Sequence, residues 1–346
     1  MEEKLMGFAM KKILCIGLCV LLFAGCGGYA TVSSERFESM DTFMQLELYG
    51  SEATTVAVKE EILRLDGLFS ATNADSDVYR LNRDGSARID AATREVLGKT
   101  QEYSVLLDND LDIFVYPLVE AWGFISRDYT IPDSAAIAAL LPAAQTAAVT
   151  LSADNQAQIT EQGAKLDLGA VAKGYAADRA VDMMRAQGVS SGILNLGGTV
   201  AAVGKKPTGE PWRVGISDPD NSAAYFGSVL CSDRFVATSG NYERYFERDG
   251  RRYCHIINPR TGYPVDNGTV SVTIISDNGF KSDALSTALF VKGADGAQAF
   301  WQEHPDFDYI LLDDSGDLYI TEGIADSFRL LSGYDYTVHT IKSGRA

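Results

Sequence analysis

Residues 165–203, KLDLGAVAKGYAADRAVDMMRAQGVSSGILNLGGTVAAV, decide the architecture. Lys165 to Leu168 reads as a short strand that runs through Gly169 into a helix from Ala170 to Gln187, stopped by Gly188. The pattern then switches to closely spaced strand candidates, Gly192 to Leu196 and Val200 to Val203, joined by a Gly-rich turn. Further strands follow at Trp212–Ser217, Gly227–Cys231, Phe235–Thr238, Tyr242–Glu247, Tyr253–Ile257 and Thr269–Ile275. Helices are expected from Ser282 to Val291 and from Ala294 to Glu303, with strands at Tyr309–Leu312 and Leu318–Ile320. Upstream, a strand is expected at Phe43–Tyr49. Ser51 caps a helix through Leu68 that sets Val58, Ile62 and Leu65 on one face. A helix from Ala92 to Leu107 and an Ala-rich one opened by Pro132-Asp133 complete the set. Helices and strands in mixed order predict an α+β fold with mixed, largely antiparallel sheets and packed helices. No internal repeat divides the chain, so one catalytic unit is expected.

The chain has 346 residues, 46% hydrophobic and 22% charged, which is enough for a full core. Lys plus Arg total 30 against 47 Asp plus Glu, a formal charge of −17. Such an acidic surface argues against nucleic acid as a partner, since nothing neutralises phosphates broadly. An anionic ligand needs a local cationic site or a metal.

Lys11 and Lys12 precede an apolar run, Ile13 to Gly25, too short for a mature membrane span. The run ends in Leu22-Phe23-Ala24-Gly25-Cys26, which is similar to the lipobox of bacterial lipoproteins. The reading is a signal peptide over 1–25, lipidation at Cys26, a small and polar tether over 26–39, and a folded unit over 40–346. An extracytoplasmic protein anchored to the bacterial cell membrane follows. Beyond Cys26 only Cys231 and Cys254 remain, one possible pair. His255, His304 and His339 are the only histidines, too few for a multi-histidine metal centre.

Three segments could carry chemistry. Asp167 and Lys173 flank the start of a helix, where free N–H groups suit phosphate. His255 stands on an apolar strand before the turn Asn258-Pro259-Arg260-Thr261-Gly262 and is a candidate base. Asp283 and Thr287, four apart on a helix, share a face and offer hard oxygen ligands suited to Mg²⁺. Asp283 is expected to be exposed, so that its removal would leave the fold intact.

Together, Asp167–Asp178, Asn195–Gly198, Thr238–Pro264 and Asp283–Gly293 resemble the corresponding blocks of the ApbE-type flavin transferases, the FAD:protein FMN transferases. Weaker matches are Met40-Asp41-Thr42, Ser76–Asn82, and Asp112 with Pro117–Phe124. The resemblance runs from Met40 to about Gly293 and implies an ApbE, T-fold-like architecture. It implies FAD as substrate, Mg²⁺ as cofactor, and transfer of FMN through a phosphoester to a Thr or Ser of an acceptor protein, with AMP released. The acceptor would be a membrane-associated electron-transfer subunit. Carried over residue by residue, Ala170 (by its carbonyl), Asp283 and Thr287 would hold Mg²⁺. Met40, Tyr79, Ala121, Trp122, Gly123, Asp167, Lys173 and Ile257 would contact FAD, and His255, with Asp283, would serve catalysis. Asn258 stands where the family usually has Asp, and Cys254 where it has Ser or Ala. Two other readings use the same residues: Mg²⁺-dependent hydrolysis of FAD to FMN and AMP, and flavin binding without turnover.

Overall fold

A computed structural model describes residues 31–344. The expectations for the signal peptide and Cys26 lie outside the described residues. The main sheet has nine strands. In spatial order they are Val32–Ser39, Thr42–Tyr49, Gly192–Leu196, Thr199–Val203, Arg234–Gly240, Thr269–Ser276, Asp308–Asp313, Asp317–Thr321 and Thr337–Ile341. Every neighbouring pair is antiparallel except the last. This is the α+β, largely antiparallel arrangement that the sequence predicts.

Alternation along the central strands gives the sheet two buried faces. Val272, Ile274 and Phe235 belong to the larger core, which the helices complete. Val236, Ile275 and Ile310 turn the other way. They meet Trp212, Val214 and Phe226 of a three-stranded sheet formed by Trp212–Asp218, Asn221–Cys231 and Phe328–Leu330. Cys231 lies in this second core and Cys254 in the first; both are buried free thiols, so they do not pair.

Seven helices are described: α1 (Glu52–Phe69), α2 (Asp77–Asp84), α3 (Ala91–Leu106), α4 (Tyr116–Ala121), α5 (Ser134–Thr146), α6 (Ala172–Ala186) and α7 (Gly279–Glu303). Ser51 caps α1 by accepting the Thr54 N–H, and Val58, Ile62 and Leu65 are fully buried, as predicted. The two helices expected around Gly293 form one run with a break there (φ 75°, ψ −179°), a conformation that suits glycine. Asn267 Nδ2 donates to the carbonyls of Phe290 and Val291 at the break.

Two expectations are corrected. The tether read over 26–39 does not extend that far: Val32–Ser39 is a strand paired along its length with Thr42–Tyr49. Its outer face is polar because it is a sheet edge, which hid it from a reading based on apolar alternation. Met40 and Asp41, both at positive φ, close the hairpin. The second correction concerns Lys165–Leu168, which is extended but joins no ladder. Asn82 satisfies the Leu166 backbone on both sides, donating from Nδ2 to its carbonyl and accepting its N–H, each at 2.8 Å. The Asp167 N–H donates to the Ile113 carbonyl at 2.9 Å. An asparagine amide here does the work of a neighbouring strand.

Candidate functional site

The site forms where α6 crosses α7. A Cβ on Gly174 would lie 2.3 Å from the Gly279 carbonyl oxygen and 2.6 Å from Asp283 Cβ, so only glycine permits this approach. The crossing delivers Asp283 of α7 to the N-terminus of α6. Its Oδ2 accepts the Gly174 N–H at 2.8 Å, and no side chain of α6's own segment caps that end. The expectation that this helix start is open to a phosphate is therefore corrected, because the Asp283 carboxylate already takes one of its amides. Asp283 is also not exposed: it retains 4% of its surface, and burial raises its carboxyl above the usual range against the pull of Lys173.

Oδ1 of the same carboxylate is less well served, with Thr199 Oγ1 at 3.4 Å and Lys173 Nζ at 3.8 Å. Lys173 Nζ also donates to the Gly169 carbonyl at 3.3 Å, so one ammonium touches both Asp283 and the turn that holds Ala170. Thr287, one turn beyond Asp283, has its hydroxyl 3.3 Å from Ser239 Oγ. Ser239 also pairs with Ser286 at 2.8 Å. The expected donor set is all oxygen: the Ala170 carbonyl, the buried Asp283 carboxylate, whose Oδ1 has Thr199 and Lys173 only at 3.4 and 3.8 Å, and the Thr287 hydroxyl. It fits Mg²⁺, which takes few protein ligands and leaves the rest to substrate phosphates and water. Among the described residues no cluster of three or more His, Cys, Asp or Glu could hold a metal.

Asp167 sits beside this pocket and accepts the Gly169 N–H at 2.9 Å, fixing the turn before Ala170. Burial raises its carboxyl, opposed by Arg244 and Lys173. On the far side stands His255. The Arg244 carbonyl receives both the His255 N–H at 3.0 Å and its Nδ1 at 3.2 Å. A carbonyl only accepts, so Nδ1 carries the proton and Nε2 presents a lone pair. Burial, reinforced by the charges of Arg244 and Lys173, pulls the imidazole down to about 3, which keeps it neutral near pH 7.

Sequence reasoning assigned no role to Glu243 or Arg244, although both lie inside the block Thr238–Pro264. Burial lifts the Glu243 carboxyl to about 7, in the same direction as Asp283 and against Lys173 and Arg244. Thr199 and Ser239, which touch Asp283 and Thr287, were likewise passed over. Their signal was position: each directly borders a glycine of the Gly197-Gly198 or Gly240 turns.

The remaining expected residues fall into two groups. Met40 lies at the tip of the first hairpin, whose Thr42 packs on Gly197; a Cβ on Gly197 would come 2.2 Å from the Thr42 side chain. Tyr79, half-buried in the first turn of α2, stands one helical turn before Asn82, the residue that holds the Asp167 segment. Both keep some exposed surface. Trp122 is different. Its ring is fully buried against Tyr253 and Phe246, and its Nε1 donates to the Gly262 carbonyl at 3.0 Å. The indole is engaged in holding the 258–262 turn. Gly123 (φ 80°) is buried too, with Asp128 O 2.0 Å from where its Cβ would be, and Ile257 is buried and bridges Pro264. Of this group only Ala121 keeps appreciable exposed surface.

Fold and site together define a mixed-sheet α+β protein with a buried carboxylate at a helix crossing and a neutral histidine, both within the field of Lys173. The model of the ApbE family matches residues 40–311, and the chain belongs to that family. The FAD:protein FMN transferase of Klebsiella pneumoniae (strain 342) is 35% identical over 282 residues, which cover 80% of this chain and 87% of that relative. A second relative of that name, from Treponema pallidum (strain Nichols), is 32% identical over 342 residues, covering 91% and 94%. The crystal structure of the ApbE protein from Thermotoga maritima superposes with a TM-score of 0.78 at 29% identity, covering 85% of this chain and 98% of that one.

Proposed function

We propose that this chain transfers the FMN moiety of FAD to a Thr or Ser hydroxyl of an acceptor protein and releases AMP. The observation that carries the proposal is the under-coordinated Asp283 carboxylate beside the Lys173 ammonium, across from a neutral His255 with a free Nε2. Ala170 (by its carbonyl), Asp283 and Thr287 would hold Mg²⁺. The ion, when bound, would neutralise the FAD diphosphate that an acidic protein could not otherwise accept. Lys173 adds a second positive charge at the same place. His255 Nε2 takes the proton of the acceptor hydroxyl. The oxygen forms a bond to the FMN phosphorus as the bond from that phosphorus to the AMP oxygen breaks, and AMP carries away the electron pair. The arriving diphosphate also offsets the cationic field of Arg244 and Lys173 that depresses the imidazole, which strengthens the base once substrate is bound.

The test is incubation of the protein with FAD, Mg²⁺ and a Thr-bearing acceptor domain, read by in-gel flavin fluorescence and by AMP release. Fluorescent acceptor with equimolar AMP supports the proposal. FMN freed into solution with no adduct would assign the hydrolase reading instead, and flavin binding without AMP would leave only a carrier.

We also propose that the protein works outside the cytoplasmic membrane, held there through lipidated Cys26 and acting on a membrane-associated electron-transfer subunit. The support is the short apolar run and its lipobox-like end. No described helix is long and apolar enough to cross a membrane. Incorporation of a fatty-acid analogue that is lost in Cys26→Ser would bear this out; equal labelling of both proteins would overturn it.

A further inference from the structure

We propose that Asp110 is a positioning residue for the acceptor side of this reaction, locking the turn after His255 to the helix that carries Asp283 and Thr287. The inference rests on the function proposed above. Asp110 is 5% exposed and lies just beyond the end of α3. Its two oxygens take two different cations. Arg260 donates to Oδ1 from Nε at 3.0 Å and from Nη2 at 2.8 Å, and Lys292 Nζ lies 2.7 Å from Oδ2. Arg260 Nη2 also donates to the Asp108 carbonyl at 3.0 Å, while Lys292 reaches the Asp108 carboxylate at 3.5 Å.

Each cation reports on one half of the site. Lys292 is the last residue of α7 before the break at Gly293, on the stretch of helix that presents Asp283 and Thr287. Arg260 sits in the turn of a hairpin that begins just after His255, beyond the end of the strand Arg251–Cys254. That hairpin is pinned by Val265 N–H to the Ile256 carbonyl at 2.9 Å and Asn258 N–H to the Tyr263 carbonyl at 2.8 Å. Trp122 and Gln145 hold the same turn from outside through its backbone carbonyls. Asp110 alone among these contacts ties the turn and the metal helix to one group.

A buried carboxylate between two cations is a poor source of net stability, but it fixes geometry. The reaction needs that geometry, because the acceptor oxygen must stand about 3–3.5 Å from phosphorus, and a misplacement of ~1 Å lowers the rate on the order of 10²-fold. A water molecule is under no such constraint from the turn. Loss of Asp110 should therefore slow transfer to the acceptor far more than attack by water.

The experiment measures FMN transfer to a Thr-bearing acceptor domain, free FMN release and FAD binding for the wild-type protein, Asp110→Ala, Asp110→Asn and Arg260→Ala, with melting temperatures alongside. The expected result for Asp110→Ala is a fall in kcat for transfer on the order of 10²-fold, an unchanged KM for FAD, and a raised ratio of free FMN to adduct. Asp110→Asn, which keeps an oxygen for Arg260, should lie between, and it carries the test if the alanine variant does not fold. Asp110→Ala combined with Arg260→Ala should be no worse than either alone. Transfer at the wild-type rate, or an equal loss of FAD binding and transfer, would overturn the proposal. Absence of adduct from the wild-type protein itself would overturn the function on which it rests.

Discussion

Asp178 and Asp283 cap each other's helices. Asp283 of α7 accepts the Gly174 N–H in the first turn of α6, and Asp178 of α6 accepts the Gly279 and Phe280 N–H groups at the start of α7, at 2.6 and 2.9 Å. Each carboxylate faces the positive end of the partner helix. Asp283 is a structural cap here and, in the proposed function, also a ligand, and the two roles separate by substitution. Asp283→Asn keeps an oxygen for Gly174 and relieves a buried charge, so without metal its melting temperature should equal or exceed that of the wild type. Its Mg²⁺-dependent turnover should fall by at least about 100-fold, because the neutral amide is a far weaker hard-ion ligand. Asp283→Ala should lose turnover and also about 1–2 kcal/mol of stability as the cap goes. Calorimetry with and without Mg²⁺ checks both; a turnover-competent Asp283→Asn would place the metal elsewhere.

Gly174→Ala is expected to be more disruptive than an ordinary change inside a helix. The new methyl would press into the Gly279 carbonyl and the Asp283 side chain, so the helices must part and Asp283 must leave its amide. Overpacking of this kind destabilises by about 1–3 kcal/mol. The variant should show a lowered melting temperature together with weakened FAD binding in Mg²⁺. A stable, fully active Gly174→Ala protein would refute the close crossing.

Asp112 offers a pH test. It caps the short turn Ile113–Val115 through the Phe114 N–H at 2.8 Å, and burial raises its carboxyl from 3.8 to about 6. Between those values the folded state holds more protons than the unfolded state, so this group's contribution falls as pH rises from about 4 to about 6 and stays unfavourable above. Asp112→Asn retains the cap and should be more stable than the wild type at pH 7.5 by about 1–2 kcal/mol, since solvent relieves part of the cost of ionisation at a half-buried group. The advantage should vanish near pH 4. Urea denaturation at both pH values decides, and an equal gain at both would show that ionisation is not the cause.

His255 should remain neutral where an ordinary histidine titrates. Its imidazole is held down to about 3 by burial and by the charges of Arg244 and Lys173, so the unfolded chain binds this proton and the folded one does not. Stability from this group is therefore lost as pH falls from about 6.5 toward 3. Imidazole nitrogen shifts in the substrate-free protein should show the Nδ1–H tautomer, unchanged from pH 8 to pH 5. A midpoint near 6.5 would contradict both the burial and the assigned proton.

Much of this was written in local patterns. The helix over Glu52–Phe69 announced itself through Ser51 and the Val58, Ile62, Leu65 stripe, and Gly192–Leu196 through its length and flanking glycines. The candidate ligands Asp283 and Thr287 were legible from their spacing of four. What stayed hidden depends on partners far away in sequence. The strand Val32–Ser39 is an edge with a polar outer face, so its partner, not its composition, makes it a strand. Lys165–Leu168 looked like a strand, but its hydrogen bonds go to Asn82, more than 80 residues upstream, as the separation of 84 from Leu166 shows. The tie of the Trp122 indole to a carbonyl 140 residues away is likewise invisible in its own stretch of sequence. The burial of Asp283 could not be read from its own helix, because it arises from a glycine on another.

In the proposed function one divalent ion would lie between the α6 start and the Asp283 face of α7 and hold the diphosphate of FAD. Crystals grown with FAD and Mn²⁺, an anomalous scatterer in place of Mg²⁺, test it most directly. An anomalous peak is expected within bonding distance of Asp283 Oδ1, the Thr287 hydroxyl, the Ala170 carbonyl and the FAD phosphates. A peak away from Asp283, or diphosphate bound with no metal beside it, would show that the ion is not held by Asp283.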